Sequence, residues 1–276
     1  MKAFKRFEFI LGASLLLVMG GLVLFAPVFF PDGGKTMNFA ARLTAPFHET
    51  FWLGTDTMGR DVLARVATGG KVSFIVGVLS ALGAVSLGTV VGLLAGYYRG
   101  WWDTIFMRLA DIQLGLPFIL MAMTIIAIIG PGLWQIVILM MVAQWVQYAR
   151  LIRGAVLSLR EAEYVLAAKS YGLSNVKIMF RHILPNALGP LIILMTLNVA
   201  NNILLESSLT FLGLGLDPLT PSWGGMLADG RNYIQTAPWV TIFPGLAIMF
   251  TVLGLNLLGD WLRDYLDPLG RAEDKA

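Results

Sequence analysis

The 276-residue chain contains no cysteine and only two histidines, His48 and His182. Without cysteine it can form neither a disulfide nor a thiolate metal site, and two histidines far apart in sequence do not make a zinc centre by themselves. Charged residues amount to 13% of the chain, and the formal net charge is only +3. That excess is too small for a nucleic-acid-binding surface, which concentrates many cations on one face. The composition therefore predicts neither a metal centre nor a nucleic-acid partner.

A nucleotide-binding loop is also missing. Such a loop follows the pattern G-x-x-x-x-G-K-[ST], in which both glycines and the final hydroxyl are needed around the phosphates. Residues 34–36 read GKT, but Phe29 occupies the position of the first glycine, and the GK at residues 70–71 is followed by Val72. We therefore expect no catalytic residue and no cofactor in this chain. Any transport work must draw on a partner protein or on an ion gradient.

Hydrophobic residues are abundant: they make up 57% of the chain, and the mean hydropathy is +0.74. A membrane helix needs about 20 consecutive apolar residues, and uncharged runs of that length recur along the chain. The run at residues 112–149 is long enough for two spans, with Gly130, Pro131 and Gly132 as the turn between them. These runs predict an all-α polytopic membrane protein with six transmembrane helices, at residues 9–30, 72–98, 112–130, 133–149, 187–206 and 239–259.

Lys and Arg are distributed unevenly between the two sides of this arrangement. Six spans place both termini on one side, and 14 of the 20 Lys and Arg residues fall there. The positive-inside rule then predicts that residues 1–8, 160–186 and 260–276 are cytoplasmic, and that the loops at 31–71 and 207–238 are extracytoplasmic. The basic start followed by an apolar run also suits a signal peptide, but the run lacks an A-x-A cleavage pattern, which favours a retained first span.

Polar residues within the spans are few. Glu206 closes the fifth apolar run and is predicted to mark a helix end that reaches water, with a polar pathway as the alternative. Asn198, Asn201 and Asn202 precede it on the same helix; they could line a translocation pathway with Glu206 or serve as interhelical hydrogen-bond partners. On the second span, three glycines at i, i+4 and i+8 (residues 88, 92 and 96) predict a close approach by a neighbouring helix.

The longest polar interval of the second half is REAEYVLAAKSYGLSNVKIMFRHILPN, residues 160–186. It predicts two short helices with Gly172 as the stop of the first and Ser174 as the N-cap of the second. The second helix is expected to run from Asn175 to about His182 and to end at Pro185. Neither helix is long enough to cross a bilayer. A docking element between spans and an interfacial helix lying on lipid both fit this pattern.

This interval resembles the cytoplasmic coupling loop, the EAA loop, of the permease subunits of ABC importers. Ala167-Ala168, Gly172 and Leu184-Pro185 stand at the matching places, while Leu166 replaces the usual acidic residue. The ending RHILPN is typical of the dipeptide/oligopeptide/nickel branch. The resemblance implies that residues of this loop contact an ATPase: Glu163, Tyr164, Ala167, Ala168, Gly172, Ser174, Arg181, His182, Leu184 and Pro185.

Three further segments are similar to the second permease subunit of the same branch. They are LGTD at residues 53–56 with GRDVL at 59–63; ESSL at 206–209 with FLGLG at 211–215 and PSWG at 221–224; and NLLGD at 256–260 with Arg263-Asp264 and the LDP of residues 266–268. The resemblance implies the type I ABC importer permease fold, with a core domain at residues 72–259. Arg60, Ser222 and Trp223 face outward in that arrangement, where they either contact a binding protein or pack as a lid.

The resemblance also implies partners: a homologous second permease, two ATPase subunits that bind ATP and Mg²⁺, an extracytoplasmic substrate-binding protein, and the lipid of a prokaryotic inner membrane. Rocking of the helix bundles would then open the cavity alternately to each side. Small peptides are the expected substrate, and nickel chelates or glutathione are alternatives within the branch. A gradient-driven carrier that works alone and a membrane anchor without transport activity are the competing functions.

Overall fold

A computed structural model describes residues 2–217 and 220–266. Within these ranges the protein is helical, and the one strand-like pairing is an isolated bridge between Thr55 and Asp61. The α-helices, numbered in chain order, are α1 Lys2–Phe29, α2 Val62–Tyr98, α3 Gly100–Leu114, α4 Phe118–Ile129, α5 Leu133–Leu159, α6 Glu163–Ser170, α7 Asn175–Ile178, α8 Leu184–Phe211, α9 Trp223–Gly230 and α10 Trp239–Leu266. The predicted all-α fold class is confirmed.

Five stretches of helix are long and apolar enough to cross a membrane. They are Phe7–Phe29 of α1, α2, α5, the stretch Asn175–Phe211 and α10. The pair α3 and α4 passes the same test together but is bent by 94°. The described residues therefore hold six membrane-crossing units, as predicted, if the bent pair is counted as one.

The predicted third span at residues 112–130 is wrong as a single helix. α3 ends at Leu114, and α4 begins only at Phe118. The 12 residues of α4 extend about 18 Å at 1.5 Å per residue, which is short of the roughly 30 Å hydrocarbon core. The chain breaks before α4 because Pro117 has no N–H and disfavours helical backbone in the residue before it. By its length, α4 alone therefore does not cross the hydrocarbon core.

The second helix starts earlier than predicted. α2 begins at Val62, inside the predicted loop 31–71, because the carboxylate of Asp61 accepts hydrogen bonds from the N–H groups of Leu63 and Ala64 at 2.8 and 3.3 Å. Such an N-cap satisfies donors that the first turn leaves free. The prediction stopped at residue 72 because Arg65 and Lys71 interrupt the apolar run. Arg65 is nevertheless only 2% exposed, and its charge is neutralised within the fold.

The close helix approach predicted from Gly88, Gly92 and Gly96 is confirmed, and the neighbour is α5. A Cβ atom at Gly88 would lie 2.5 Å from the carbonyl oxygen of Trp145, and one at Gly92 would lie 2.6 Å from that of Ala149. At Gly96 it would lie 2.8 Å from the Cβ of Val156. Any larger side chain would therefore separate the two helices, because contacts below 3 Å involve backbone or Cβ atoms that cannot rotate away.

The fifth span also differs from its predicted limits of 187–206. A π-helical turn, Met179–Ile183, joins α7 directly to α8, and α8 continues to Phe211. Pro185 does not end a helix, which corrects the prediction. It lies in the first turn of α8, where a missing N–H costs little because first-turn N–H groups lack α-helical partners. The turn is closed by the N–H of Leu184, which donates to the carbonyl of Met179.

The last helix, α10, packs against the first. Gly12 and Gly254 face one another, so that a Cβ at Gly12 would lie 3.0 Å from the carbonyl oxygen of Gly254, and the rings of Phe9 and Trp261 lie 4.6 Å apart. α10 reaches Leu266, beyond the predicted limit of 259. Residues 267–276, including most of the predicted LDP motif and the rest of the predicted tail, lie outside the described residues.

Replacement of Gly92 by leucine should destabilise the isolated permease, because the new side chain must displace the backbone of α5. Overpacking of this kind typically costs about 1–3 kcal/mol. The matched control is Gly154→Leu on α5, where no heavy atom lies within 4 Å of the new Cβ. Thermal unfolding in detergent should show a clear loss for Gly92→Leu and little change for Gly154→Leu. Equal melting temperatures for the two variants would contradict the packing described.

Candidate functional site

Residues 160–186 fold into a helical hairpin at one end of the bundle, which we call the hairpin end. α6 stops at Gly172, whose φ is +76°. The N–H of Leu173 donates to the carbonyl of Ala168 at 3.2 Å, and the N–H of Gly172 donates to that of Lys169 at 3.0 Å, which is the Schellman arrangement. The predicted stop of the first helix at Gly172 is confirmed. Ser174 occupies the N-cap position of α7, but its side chain makes no capping hydrogen bond.

The hairpin is anchored firmly to the ends of α2 and α5. The hydroxyl of Tyr97 donates to the side-chain oxygen of Asn175 at 2.8 Å, and Arg160 donates to the carbonyl of Tyr97 at 2.9 Å. Asn186, in α8, donates to the hydroxyl of Tyr164 at 3.3 Å. Buried side chains of the hairpin share one apolar cluster with Leu93, Ile152 and Val156; they are Val165, Ala168, Ile178, Met179 and Ile183. The hairpin therefore moves with the helices that carry it.

Among the exposed side chains of the hairpin, five are large and apolar. They are named here the hairpin patch: Tyr164, Leu166, Tyr171, Val176 and Phe180. Tyr171 at the tip is 85% exposed and Val176 is 59% exposed. Lys169, Lys177 and Arg181 are exposed nearby. Clustered exposed apolar residues rimmed by charge are typical of protein interaction sites.

The structure separates the ten residues predicted to contact an ATPase into three groups. Those exposed on the hairpin are Glu163, Tyr164, Ala167, Gly172, Ser174, Arg181 and Pro185, whereas His182 and Leu184 are half-buried. Ala168 is only 7% exposed and packs beneath α6, so it supports the hairpin instead of offering a surface. The sequence analysis missed Tyr171, Val176 and Phe180, because exposed apolar residues in a chain this hydrophobic give no distinct signal.

The predicted pathway residues on α8 do not share one face. Asn198, Asn202 and Glu206 are buried and follow one another at i, i+4 and i+8, whereas Asn201 is exposed. The first three form a polar row against α2 and α5. Asn198 donates to the hydroxyl of Tyr148 at 3.0 Å, and Asn202 donates to the carbonyl of Gly77 at 3.1 Å. These are interhelical hydrogen bonds, the second of the two roles considered for the asparagines.

Glu206 does not mark a helix end that reaches water, which corrects the prediction. Glu206 is fully buried, and α8 continues for another five residues to Phe211. The carboxyl group accepts hydrogen bonds from the hydroxyls of Ser73 at 2.9 Å, Thr210 at 3.0 Å and Ser207 at 3.4 Å. Three hydroxyl donors replace water around this group, and for this reason it can lie inside the bundle.

At the opposite end of the bundle, which we call the loop end, four side chains form an ion-pair cluster. Asp56 accepts from Arg65 Nη1 at 2.6 Å and from Arg60 Nε at 2.7 Å. Asp229 of α9 lies 3.3 Å from Arg60 Nη2 and 3.3 Å from Arg65 Nη1. Its side chain is 37% exposed, whereas that of Asp56 is fully buried. Sequence reasoning missed the cluster, because only the fold brings α9 beside the start of α2.

The pKa of Asp56 lies below its ordinary value. Burial by itself raises the pKa of this carboxyl, but the backbone N–H of Arg60 and the charges of Arg65 and Arg60 together outweigh it. The carboxyl of Asp61 shows the opposite balance: burial raises its pKa, and the N–H groups of Ala64 and Leu63 compensate only in part. Asp56 is thus held as a carboxylate that fixes the two arginines.

The three residues predicted either to contact a binding protein or to pack as a lid are not surface residues. Arg60 is 5% exposed, and Ser222 and Trp223 are fully buried. Trp223 donates from Nε1 to the carbonyl of Val66 at 2.8 Å and lies over Gly70, where a Cβ would come within 2.7 Å of its ring. Ser222 caps α9. Packing is therefore the role observed for Ser222 and Trp223.

Replacement of Asp56 by asparagine should destabilise the loop end by about 3–5 kcal/mol, because it leaves two buried arginines with only Asp229. Asp111→Asn removes an exposed ion pair with Arg150 and should cost about 1 kcal/mol or less. The pKa of Asp56 is lowered in the fold, so its stabilisation is complete above the unfolded value of about 3.9 and is lost as the pH falls through the folded value. In thermal unfolding, the melting temperature of the wild type should approach that of Asp56→Asn only in acid below about pH 4. If the difference between the two melting temperatures does not narrow there, the role assigned to Asp56 is contradicted.

Comparison with known proteins agrees with this architecture. Residues 88–271 match the family model described as "Binding-protein-dependent transport system inner membrane component". The chain is 44% identical over 247 residues to the dipeptide transport system permease protein DppC of Alkalihalophilus pseudofirmus, covering 90% of this chain and 81% of the relative.

The glutathione transport system permease protein GsiD of Pectobacterium atrosepticum is 38% identical over 268 residues, covering 97% of this chain and 89% of its own length. GsiD of Escherichia coli is 42% identical over 217 residues, or 79% of this chain and 72% of the relative. The structure of this chain contains the hairpin, the bent third span and the long α8. By the family match and these identities, this chain belongs to the family of inner membrane components of binding-protein-dependent transport systems, and it is a permease of that family.

Proposed function

We propose that this chain is one of two permease subunits of an ATP-driven importer of small peptides. A homologous permease would complete the translocation pathway, two ATPase subunits would bind ATP and Mg²⁺, and an extracytoplasmic binding protein would deliver the substrate. The family description supports a binding-protein partner. The names of the relatives support the substrate class, because a dipeptide and glutathione are both short peptides.

The hairpin patch is the observation that carries this proposal. The hairpin is anchored to α2 and α5 and exposes five large apolar side chains, which we assign to the contact with a groove on an ATPase. The excess of Lys and Arg on the hairpin side supports a cytoplasmic position of that end, where ATP is available. An amphipathic helix that only lies on lipid would not need the hydrogen bonds that Asn175 and Arg160 make with Tyr97 or an apolar anchor against α2 and α5.

The hairpin would pass motion to the membrane helices through continuous backbone. From Asn175 the chain runs through α7, the π-helical turn and α8 as far as Phe211 without a break. A displacement of the hairpin patch therefore displaces α8 and the polar row that ties α8 to α2 and α5. Asn201 lies on the exposed side of α8, and we assign it, among the four predicted pathway residues, to the wall of the pathway.

Replacement of Tyr171 by aspartate should uncouple the transporter, since it places a charge in the centre of an interface that excludes water. Loss of one large aromatic contact typically weakens an interface by about 2 kcal/mol or more, so we expect at least a tenfold weaker association with the ATPase subunits. Ala168→Asp is a poor test because Ala168 is buried and the variant would disturb the hairpin itself.

The matched control is Ser158→Asp, which puts the same charge at an exposed position on α5 outside the hairpin patch. Association is measured by co-purification, and coupling by uptake into vesicles relative to ATP hydrolysis. If Tyr171→Asp retains full association and uptake, the hairpin patch is not the ATPase contact.

Uptake by vesicles that contain the complete transporter should require ATP and the binding protein, and it should survive collapse of the proton gradient by an ionophore. The physical reason lies in the described spans, where the carboxyl of Glu206 is fully buried and hydrogen-bonded to three hydroxyls. Labelled dipeptide and labelled glutathione, each with the other as competitor, would define the peptide class. Uptake that follows the proton gradient without ATP would establish the gradient-driven carrier in place of this proposal.

A further inference from the structure

A small pocket opens beside the ion-pair cluster at the loop end. Its volume is about 240 Å³, and it is lined by Gly34, Lys35, Met37, Arg60, Arg65 and Pro221. Three of these residues are cations, and none of them is acidic. The side chain of Lys35 is exposed at the rim. Because both arginines are already paired with Asp56 and Asp229, Lys35 is the lining cation that makes no ion pair within the described residues.

The two carboxylates that neutralise the arginines are held very differently. Asp56 is fixed from several sides: besides the two arginines, it accepts from the N–H groups of Met58 at 2.8 Å and Arg60 at 2.9 Å. Asp229 depends on contacts of 3.3 Å, which are long for hydrogen bonds between charged groups, typically about 2.7–2.9 Å. Asp229 is thus the carboxylate that another anion can replace.

The arginines also retain free donor capacity. A guanidinium carries five N–H donors, and Arg60 bonds through Nε and Nη2 alone within the part of the chain that the structure describes. Together with Lys35, its remaining nitrogen Nη1 can bind a second oxygen acceptor. A carboxylate is the acceptor whose planar geometry suits a guanidinium best.

The size of the pocket indicates what kind of carboxylate fits. Pockets for small-molecule ligands usually measure about 300–1,000 Å³, so a volume of about 240 Å³ is narrow for a whole peptide. A single Asp or Glu side chain that projects from a protein surface needs much less room. Its approach would be favoured by the exposed charge of Lys35 at the rim, because rim charges steer the association of oppositely charged surfaces.

We propose that this pocket receives an acidic side chain of the extracytoplasmic binding protein, which pairs with Lys35 and Arg60 and competes with Asp229. The proposal rests on the proposed function, which requires such a partner at the loop end. Displacement of Asp229 would loosen α9, and α9 is packed between two spans. A Cβ at Gly224 would lie 2.6 Å from Ser207 of α8, and one at Gly230 would lie 2.6 Å from Thr241 of α10. Docking of the binding protein would therefore change the packing at Ser207, the residue next to Glu206.

Charge reversal at the rim tests the pocket. Lys35→Glu should raise the concentration of binding protein that half-saturates ATP hydrolysis by about tenfold at low salt, with less effect at high salt, because rim charges mainly set encounter rates. The maximal rate should stay unchanged. Arg42→Glu is the matched control, since Arg42 is exposed on the same loop but does not line the pocket. The assay uses the complete transporter in nanodiscs with the peptide-loaded binding protein that activates it.

The source of the carboxylate is identified by zero-length carbodiimide cross-linking, which joins a carboxylate to the amine of Lys35. We expect a permease–binding protein adduct whose mass-mapped junction is Lys35, and its loss in Lys35→Arg, which keeps the charge and should keep the affinity. An adduct between Lys35 and the substrate peptide would overturn the proposal in favour of a substrate site.

Two further outcomes distinguish a failure of the pocket proposal from a failure of the proposed function. Normal stimulation of the wild type with equal half-saturation for Lys35→Glu and Arg42→Glu would overturn the pocket proposal alone. Failure of the wild-type complex to respond to any binding protein would overturn the proposed function, and the pocket proposal with it.

Discussion

The approach of α2 to α5 is the contact on which the other helix contacts depend. In a bilayer, lipid tails solvate apolar side chains as well as a neighbouring helix does, so association relies on close packing and hydrogen bonds. Gly88, Gly92 and Gly96 bring the two backbones together, and this places Tyr148 and Gln144 of α5 where Asn198 and Asn202 of α8 can bond to them. A side chain at Gly88 would push Tyr148 aside and leave Asn198 without that partner.

α5 also fixes the break in the third span. At the end of α3, Gln113 donates from Nε2 to the carbonyls of Val142 and Ala143 at 2.7 and 3.0 Å, and its Oε1 accepts from Trp145 at 2.7 Å. Irregular backbone at membrane depth is tolerated where protein groups satisfy its polar atoms, and the side chain of Gln113 ties the last turn of α3 to α5. The 94° bend is therefore a fixed feature of the bundle.

The sequence predicted what depends on local pattern and missed what depends on pairing across the fold. The number of membrane-crossing units, the glycine face of α2 and the turn at Gly172 all follow from residue type and spacing. Arg65 and Glu206 misled the analysis because a charge was assumed to end a span. Each is buried by partners outside its own helix, Asp56 and Asp229 for the first and Ser73 for the second. Pro185 was predicted to end a helix because proline usually does so. Here the π-helical turn precedes it, and Pro185 lies in the first turn of α8.

Each end of the bundle has an energetically unfavourable feature that the binding of a partner would relieve. At the hairpin end, large apolar side chains face water, which is costly for a chain by itself. At the loop end, two arginines are nearly buried, and desolvated charges are stable only when they are well paired. Asp56 pairs closely with both arginines, whereas Asp229 lies 3.3 Å from each of them. A partner that covers the hairpin patch removes the first cost, and a partner that supplies a better-placed carboxylate removes the second. Between the two ends, α2, α5 and α8 are joined by close packing and by the hydrogen bonds of Asn198 and Asn202.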